Sequence, residues 1–326
     1  MNYQSDTSSL LALAAELAPR SGYNATSLPS VRILRSETIL EDVPVLYRPG
    51  AVFVLQGFKQ GFLNDEVYRY DADHYLAVSV PVPFRMASQA SPEYPLLAIY
   101  FDFDLHIAAE IATALEGKVG HNEGIRARSL ISSRMVPAIT DVLQRLLHGL
   151  HDPQELAILG PSLLRELHYR ILVGSQGGPL MAALRHHDTT DRVVQSLALM
   201  REHYKEGLSV PDLAATAGMS IPSYHAHFKL LTGNTPIQYI KALRLHEARL
   251  MIARRKGSIA AIALAVGYAS PAQFSRDFKR HFRRGPSEEA KWMRQHLGEP
   301  TYTRSEDLAL EVTGSRSGRG QPQSPA

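Results

Sequence analysis

The side chains best suited to chemistry are Gln273 and Arg276, three positions apart in Ser270-Pro-Ala-Gln-Phe-Ser-Arg-Asp-Phe-Lys279. Arginine can donate two parallel hydrogen bonds to guanine and glutamine can pair with adenine, so the two could read base edges in a major groove. Phe274 and Phe278, spaced i and i+4, would fix one side of a helix in a core, with Phe282 continuing the row. Ala272, Gln273, Arg276 and Lys279 then face outward. A second stretch, Ser220-Ile-Pro-Ser-Tyr-His-Ala-His-Phe-Lys229, has the same build. With Tyr224 and Phe228 inward, it offers Ser223, His225, Ala226 and Lys229, a face better suited to thymine methyls than to hydrogen-bonded readout. The cations Lys229, Lys279, Arg280, Arg283 and Arg284 suit phosphate oxygens, and they also complement the dipoles of the helix ends they occupy.

Other chemistries find fewer residues. The chain has no cysteine, which excludes thiolate catalysis, disulfides, zinc fingers, alkyl transfer to sulfur and oxidant sensing through sulfur. A metal-dependent barrel enzyme would need a His-x-His pair and a nearby glutamate on neighbouring strands. Only His74 falls in the strand region, with His106 at the start of the first helix after it. His74 shares a strand face with Leu76, Val78 and Val80 and reads as a hydrogen-bonded core histidine. His225 and His227 diverge if they lie on a helix, and His186-His187-Asp188 stands in a linker without identifiable partners. No catalytic residue, metal or cofactor is expected.

The elements that must position the outward faces occur twice. Leu213-Ala-Ala-Thr-Ala-Gly-Met-Ser220 and Ile262-Ala-Leu-Ala-Val-Gly-Tyr-Ala-Ser270 each form a short apolar helix stopped by Gly218 or Gly267, residues free to enter the left-handed turn. Ser220 or Ser270 caps the helix that follows. Pro271 at its first position and Gln273 at its third make a capping box in the second copy. These recognition helices are predicted over 221–231 and 271–282. Between the copies, Thr235 caps a helix over 236–255, with Gln238 at its third position. Twenty helical residues span about 30 Å, near the roughly 34 Å between successive major-groove faces. Ile240, Leu243 and Leu250 form one apolar stripe on this helix, and Leu245, Ala248 and Ile252 another nearly opposite, so it is gripped from both sides.

On these residues the chain resembles the AraC/XylS-type bacterial transcription regulators. The resemblance covers roughly 191–293. It rests on Gly218-Met-Ser220, Phe228-Lys229, Pro236-Ile-Gln-Tyr-Ile240 and Leu243-Arg-Leu-His-Glu-Ala-Arg249, then on Val266-Gly-Tyr268, Ser270-Pro-Ala-Gln-Phe274 and Phe278-Lys279. The glycine-to-phenylalanine spacing is ten residues in the first unit and eleven in the second, an asymmetry the family shares. One departure stands out. The family usually has glycine after the phenylalanine that ends the second recognition helix, whereas Phe282 is followed by Arg283.

The first half reads differently. Val31-Arg-Ile-Leu-Arg35, Ala51-Val-Phe-Val-Leu55, His74-Tyr-Leu-Ala-Val-Ser-Val80 and the continuously apolar Leu96-Leu-Ala-Ile-Tyr-Phe-Asp-Phe103 are predicted strands, separated by turn residues. Helices follow near 105–116, 136–150 and 153–173. Strands before helices argue for an α+β chain whose first domain is a small sandwich or barrel with a helical appendage. The resemblance implies a cupin-like barrel. The expected domains are therefore 20–178, regulatory or dimerising, and 186–298, DNA-binding, with the glycine-rich 174–179 beginning the connection and a disordered tail over 299–326. Residues 185–300 carry a net +8 and residues 1–184 a net −5 within the overall +3, as a phosphate-binding module beside an acidic one would.

No apolar run is long enough to span a membrane and no secretory signal opens the chain, so a cytoplasmic protein is expected. Double-stranded DNA is the partner implied by the two units; RNA polymerase and an activating role are implied by the resemblance alone. Two readings of the first domain stay open: it binds a small-molecule effector, or it only dimerises within a constitutive regulator. Phe53, Phe58, Phe62, Tyr68, Tyr70, Tyr75 and Phe84 could line a pocket or be plain core, and no charged residue stands out as a ligand anchor. If the domain dimerises, 136–150 and 153–173 are the expected interface, to be broken by Leu146→Asp.

Overall fold

A computed structural model describes residues 3–115, 128–184 and 189–296. A helix α1 (Tyr3–Leu17) precedes strands β1 (Gly22–Ala25), β2 (Val31–Ser36), β3 (Leu40–Leu46), β4 (Gly50–Gln56), β5 (Phe58–Leu63), β6 (Glu66–Tyr70), β7 (His74–Val78), β8 (Pro83–Gln89) and β9 (Leu96–Asp102). Helix α2 (Leu105–Ala114), strand β10 (Leu130–Arg134) and helices α3 (Pro137–Gly149), α4 (Pro153–Leu172) and α5 (Gly177–Leu184) complete the first domain. Six strands in the order β1-β2-β9-β4-β7-β10 form one sheet, and β3-β8-β5-β6 form a second. The four predicted strands are β2, β4, β7 and β9, all in the larger sheet.

That sheet is buried on both faces, which is why its strands read as apolar runs. Ile33, Phe53, Ala77, Ile99 and Phe101 pack outward against Leu10 of α1, Leu143, Leu146 and Leu147 of α3 and Leu167 of α4. Leu34, Val52, Val54, Leu76, Val78 and Tyr100 point the other way, towards Val43, Tyr70, Phe84 and Met86 of the smaller sheet.

Several expectations need correcting. Helix α5 begins at Gly177, where a connection was expected. His74 is only half-buried and bonds Asp71 through Nδ1 at 3.2 Å, at the strand end rather than in the core. Leu146 is wholly buried beneath the sheet, so Leu146→Asp would break the domain rather than a dimer. The expected tail and His186-His187-Asp188 lie outside the described residues.

The second domain runs through α6 (Thr189–Glu202), α7 (Val210–Thr216), α8 (Ile221–Thr232), α9 (Pro236–Ala253), α10 (Ile259–Ala265), α11 (Pro271–Phe282) and α12 (Pro286–His296). Helix α9 is capped reciprocally by Thr235 and Gln238, and its 18 residues span about 27 Å. No helix among the described residues is long and apolar enough to cross a membrane.

Candidate nucleic-acid interface

Helix pairs α7–α8 and α10–α11 are the two expected units. Gly267 turns at φ +88°, and a Cβ there would strike the Lys205 carbonyl. Arg244 of α9 closes the same corner, donating to the carbonyls of Tyr204 (2.6 Å), Glu206 (2.7 Å) and Gly267 (3.0 Å). The turn is therefore built into the linking helix rather than left as a free hairpin.

On α11 the row Phe274, Phe278 and Phe282 is buried, with successive rings 5.4 and 4.6 Å apart. Buried Asp277 beside them receives Lys241 of α9 at 2.7 Å and Arg280 at 2.5 Å. This inner side fixes the rotation of the helix. Ala272, Gln273, Arg276, Lys279, Arg280 and Arg283 are left exposed. Ser270 accepts from the Gln273 N–H, while the Gln273 side chain stays outward.

On α8, Tyr224 and Phe228 are buried; Tyr224 Oη donates to Ser196 of α6 at 2.9 Å, and Phe228 packs edge-on to Tyr239 of α9. Ala226 and Lys229 are exposed, whereas Ser223 and His225 are half-covered. His227 is the more exposed histidine, and its Nδ1 lies 2.8 Å from the Ser223 carbonyl.

Arg284 departs from its expected role. Its Nε donates to Glu289 at 2.6 Å, and its guanidinium stacks 4.2 Å over the Trp292 ring. A cation held this way joins α11 to α12, and we withdraw it from the phosphate set.

The family's missing glycine also finds its explanation. Arg283 occupies the left-handed conformation itself, at φ +64° and ψ −4°. A non-glycine residue there costs about 1–2 kcal/mol, and glycine's looser unfolded chain returns part of that. Arg283→Gly should raise stability by roughly 1 kcal/mol in thermal unfolding; an unchanged or lower midpoint would show the turn to be unstrained.

Sequence reasoning missed the seam between the domains, formed by α9 and α11 against β3 and β8. Tyr239 Oη donates to the Pro81 carbonyl at 2.8 Å. Arg249 Nη1 donates to the Pro44 carbonyl at 3.2 Å, while its Nη2 pairs with Glu289 at 2.5 Å and its guanidinium lies 4.8 Å over the Phe282 ring. Gly233, closing α8 at φ +72°, leaves no room for a Cβ against Asn64 in the β5–β6 turn. His246 and His281 meet at 3.2 Å. Burial pushes His246 well below the usual range, and burial with Arg85, Arg249 and Lys241 nearby brings His281 to about 4. The pair is therefore neutral at physiological pH, one ring donating to the other. The available signal was Arg249's position on the same side of α9 as Leu245 and Ile252.

A barrel joined to two helix-turn-helix units on one linking helix defines a class of two-domain regulators rather than enzymes. Residues 27–179 match the family described as AraC-type transcriptional regulator N-terminus, and residues 213–291 match the helix-turn-helix domain family. The chain belongs to the AraC-type transcriptional regulators. The HTH-type transcriptional regulator CdhR of Pseudomonas aeruginosa is 27% identical over 165 residues, 49% of this chain and 46% of that protein. The HTH-type transcriptional activator RhaS of Yersinia pestis is 32% identical over 99 residues, 30% of this chain and 36% of that protein. The matches thus span less than half the length of these relatives. Among solved structures, ToxT of Vibrio cholerae superposes with a TM-score of 0.50 at 10% identity, over 80% of this chain and 98% of that one, a likeness of fold.

Proposed function

We propose that the chain is a sequence-specific DNA-binding transcription regulator, an activator whose barrel takes a small-molecule effector. The observation that carries this is the outward face of α11, where Gln273 and Arg276 stand exposed with the opposite side locked by three phenylalanines and Asp277. Lys229, Lys279, Arg280 and Arg283 would bind phosphates around the two recognition helices, with Ser223, His225, Ala226 and Ala272 nearest the bases. Arg280 would do so while paired to Asp277. The seam of Tyr239, Arg249 and Gly233 gives barrel occupancy a physical route to α8 and α11. The activating sense, and RNA polymerase as partner, are supported by the likeness to RhaS.

Selection of binding sites from random duplexes by the full chain tests the reading. A motif with two elements about one helical turn apart should emerge, and affinity should fall steeply with salt as counterions are released. Enrichment of no sequence would overturn it.

A second reading, a constitutive dimer, is favoured by one feature. Helix α4 exposes Ile158 (77%) and Leu159 (45%) on its outer side. Sedimentation of the full chain and of Ile158→Asp decides it: a dimer lost in the variant places the interface there, and a wild-type monomer removes this reading.

A further inference from the structure

Lys59 is wholly buried inside the barrel. Strand register sets it directly opposite Ser88 of β8 on one side and Tyr70 of β6 on the other. All three are buried, forming a polar row across the inner face of the smaller sheet. Facing them from the larger sheet is Tyr100, whose Oη accepts from Lys59 Nζ at 2.9 Å and lies 3.2 Å from Tyr47 Oη.

The hydrogen-bond inventory of this row is unbalanced. An ammonium has three donor hydrogens, and Lys59 makes one hydrogen bond, to a tyrosine. No carboxylate pairs with it. Ser88 Oγ and Tyr70 Oη make no hydrogen bond of normal geometry, although Tyr70 lies in electrostatic contact with Tyr47 and Tyr100. Buried polar groups are nearly always satisfied, because each one left over costs free energy. The groups left over here can all donate, so the absent partner is an acceptor able to take several hydrogen bonds at once. An amine adds the preference for negative charge. Tyr47 and Tyr100 also line a narrow cleft that opens between Arg32 and Arg48, a cationic mouth suited to an anion.

We propose that the barrel interior at Lys59 binds a small molecule through its carboxylate, held by the Lys59 ammonium and the hydroxyls of Tyr70 and Ser88. This rests on the effector reading above and gives the effector its chemical class. Desolvation lowers the Lys59 amine from its ordinary value to about 7. The groups facing it are Tyr70 of β6, Tyr100 of β9, Tyr47 after β3 and, further out, Tyr23 of β1, with Arg32 of β2 lying 5.9 Å over the Tyr100 ring. Burial holds Tyr47 and Tyr70 well above their ordinary values, so neither ionises near neutrality. A bound carboxylate would raise the amine again, so binding takes up a proton once the free amine is neutral. Affinity should be flat below about pH 7 and weaken about tenfold per unit above it, until the pKa of the bound state is reached.

The test uses the full chain with benzoate and octanoate, and with benzamide and octanol as uncharged counterparts, followed by thermal unfolding and calorimetry. At least one acid should raise the melting temperature with increasing concentration. Its uncharged counterpart should not. Lys59→Met, which removes a buried amine and keeps its volume, should fold and lose at least about tenfold in affinity; Lys59→Gln serves as the second variant. The proposal is overturned if neither acid binds, if both variants respond like the wild type, if the uncharged compounds match the acids, or if chloride at equal concentration reproduces the shift. Operator binding by the same preparations separates the two levels. Intact sequence-specific DNA binding with no acid bound removes this site and leaves the regulator. Acid bound at Lys59 without any change in DNA affinity keeps the site and removes the effector role.

Discussion

Glu289→Ala is expected to remove about 3–5 kcal/mol of stability, the usual cost of leaving a buried ion without its partner. Glu289 is 1% exposed and takes Arg249 on one oxygen and Arg284 on the other. Without it the Arg249 guanidinium, itself buried, keeps only the Pro44 carbonyl and the faces of Phe282 and Trp292. Cation–π contacts of this kind contribute about 0.5–2 kcal/mol, too little to replace a carboxylate. Arg284 has partial access to water and loses less. Denaturant unfolding of Glu289→Ala beside Arg249→Met separates the terms, since removing the cation as well should recover part of the loss. A Glu289→Ala midpoint within about 1 kcal/mol of wild type would mean that water reaches the pair and that it does not join α9 to α12 as described.

Arg276→Ala should weaken binding to the selected operator roughly ten- to a hundredfold, equivalent to about 1–3 kcal/mol, and relax preference at one base pair. The rotation of α11 supplies the reason. Three buried phenylalanines and the Asp277–Lys241 pair hold one side inward, and Arg276 projects from the other with no hydrogen bond or ion pair to the protein to break. Its guanidinium is therefore available at no conformational cost to the fold. Lys279→Ala, one turn further on, should weaken all duplexes alike and flatten the salt dependence. Site selection on both variants discriminates the roles. If Arg276→Ala retains wild-type preference at every position, the arginine belongs with the phosphate contacts.

The recognition units were legible because their signals are local. The cap, proline, glycine and i, i+4 aromatic spacing of 270–282 all lie within a dozen residues, and α11 begins and ends where they indicate. The larger sheet was legible because both of its faces are buried. The smaller one was not, and β5 shows why. The alternation Phe58, Gln60, Phe62 suggests an inward aromatic face, yet Lys59, Gly61 and Leu63 are the buried set and Phe62 is exposed. A shift of one residue exchanges the two faces of a strand, and a lysine argued for the wrong choice. Phe53 and Tyr75 were likewise plain core, under the helices rather than inside the barrel. The seam was out of reach altogether. Arg249 and Pro44 stand 205 positions apart, and no periodicity along a chain encodes such a contact.

That seam constrains how any signal could travel. The buried cluster inside the barrel continues without interruption into the packing around α9 and α11. A hinge that swung the two halves apart would expose apolar side chains to water and strand the Tyr239 hydroxyl and the Arg249 cation. Sliding of packed elements by an ångström or two keeps such surfaces covered, which is the shear mode of domain motion. With β3 and β8 lying against α9 and α11, a small change in barrel width would be delivered to the second recognition helix as a translation along the seam, altering its distance from the first while leaving each unit intact.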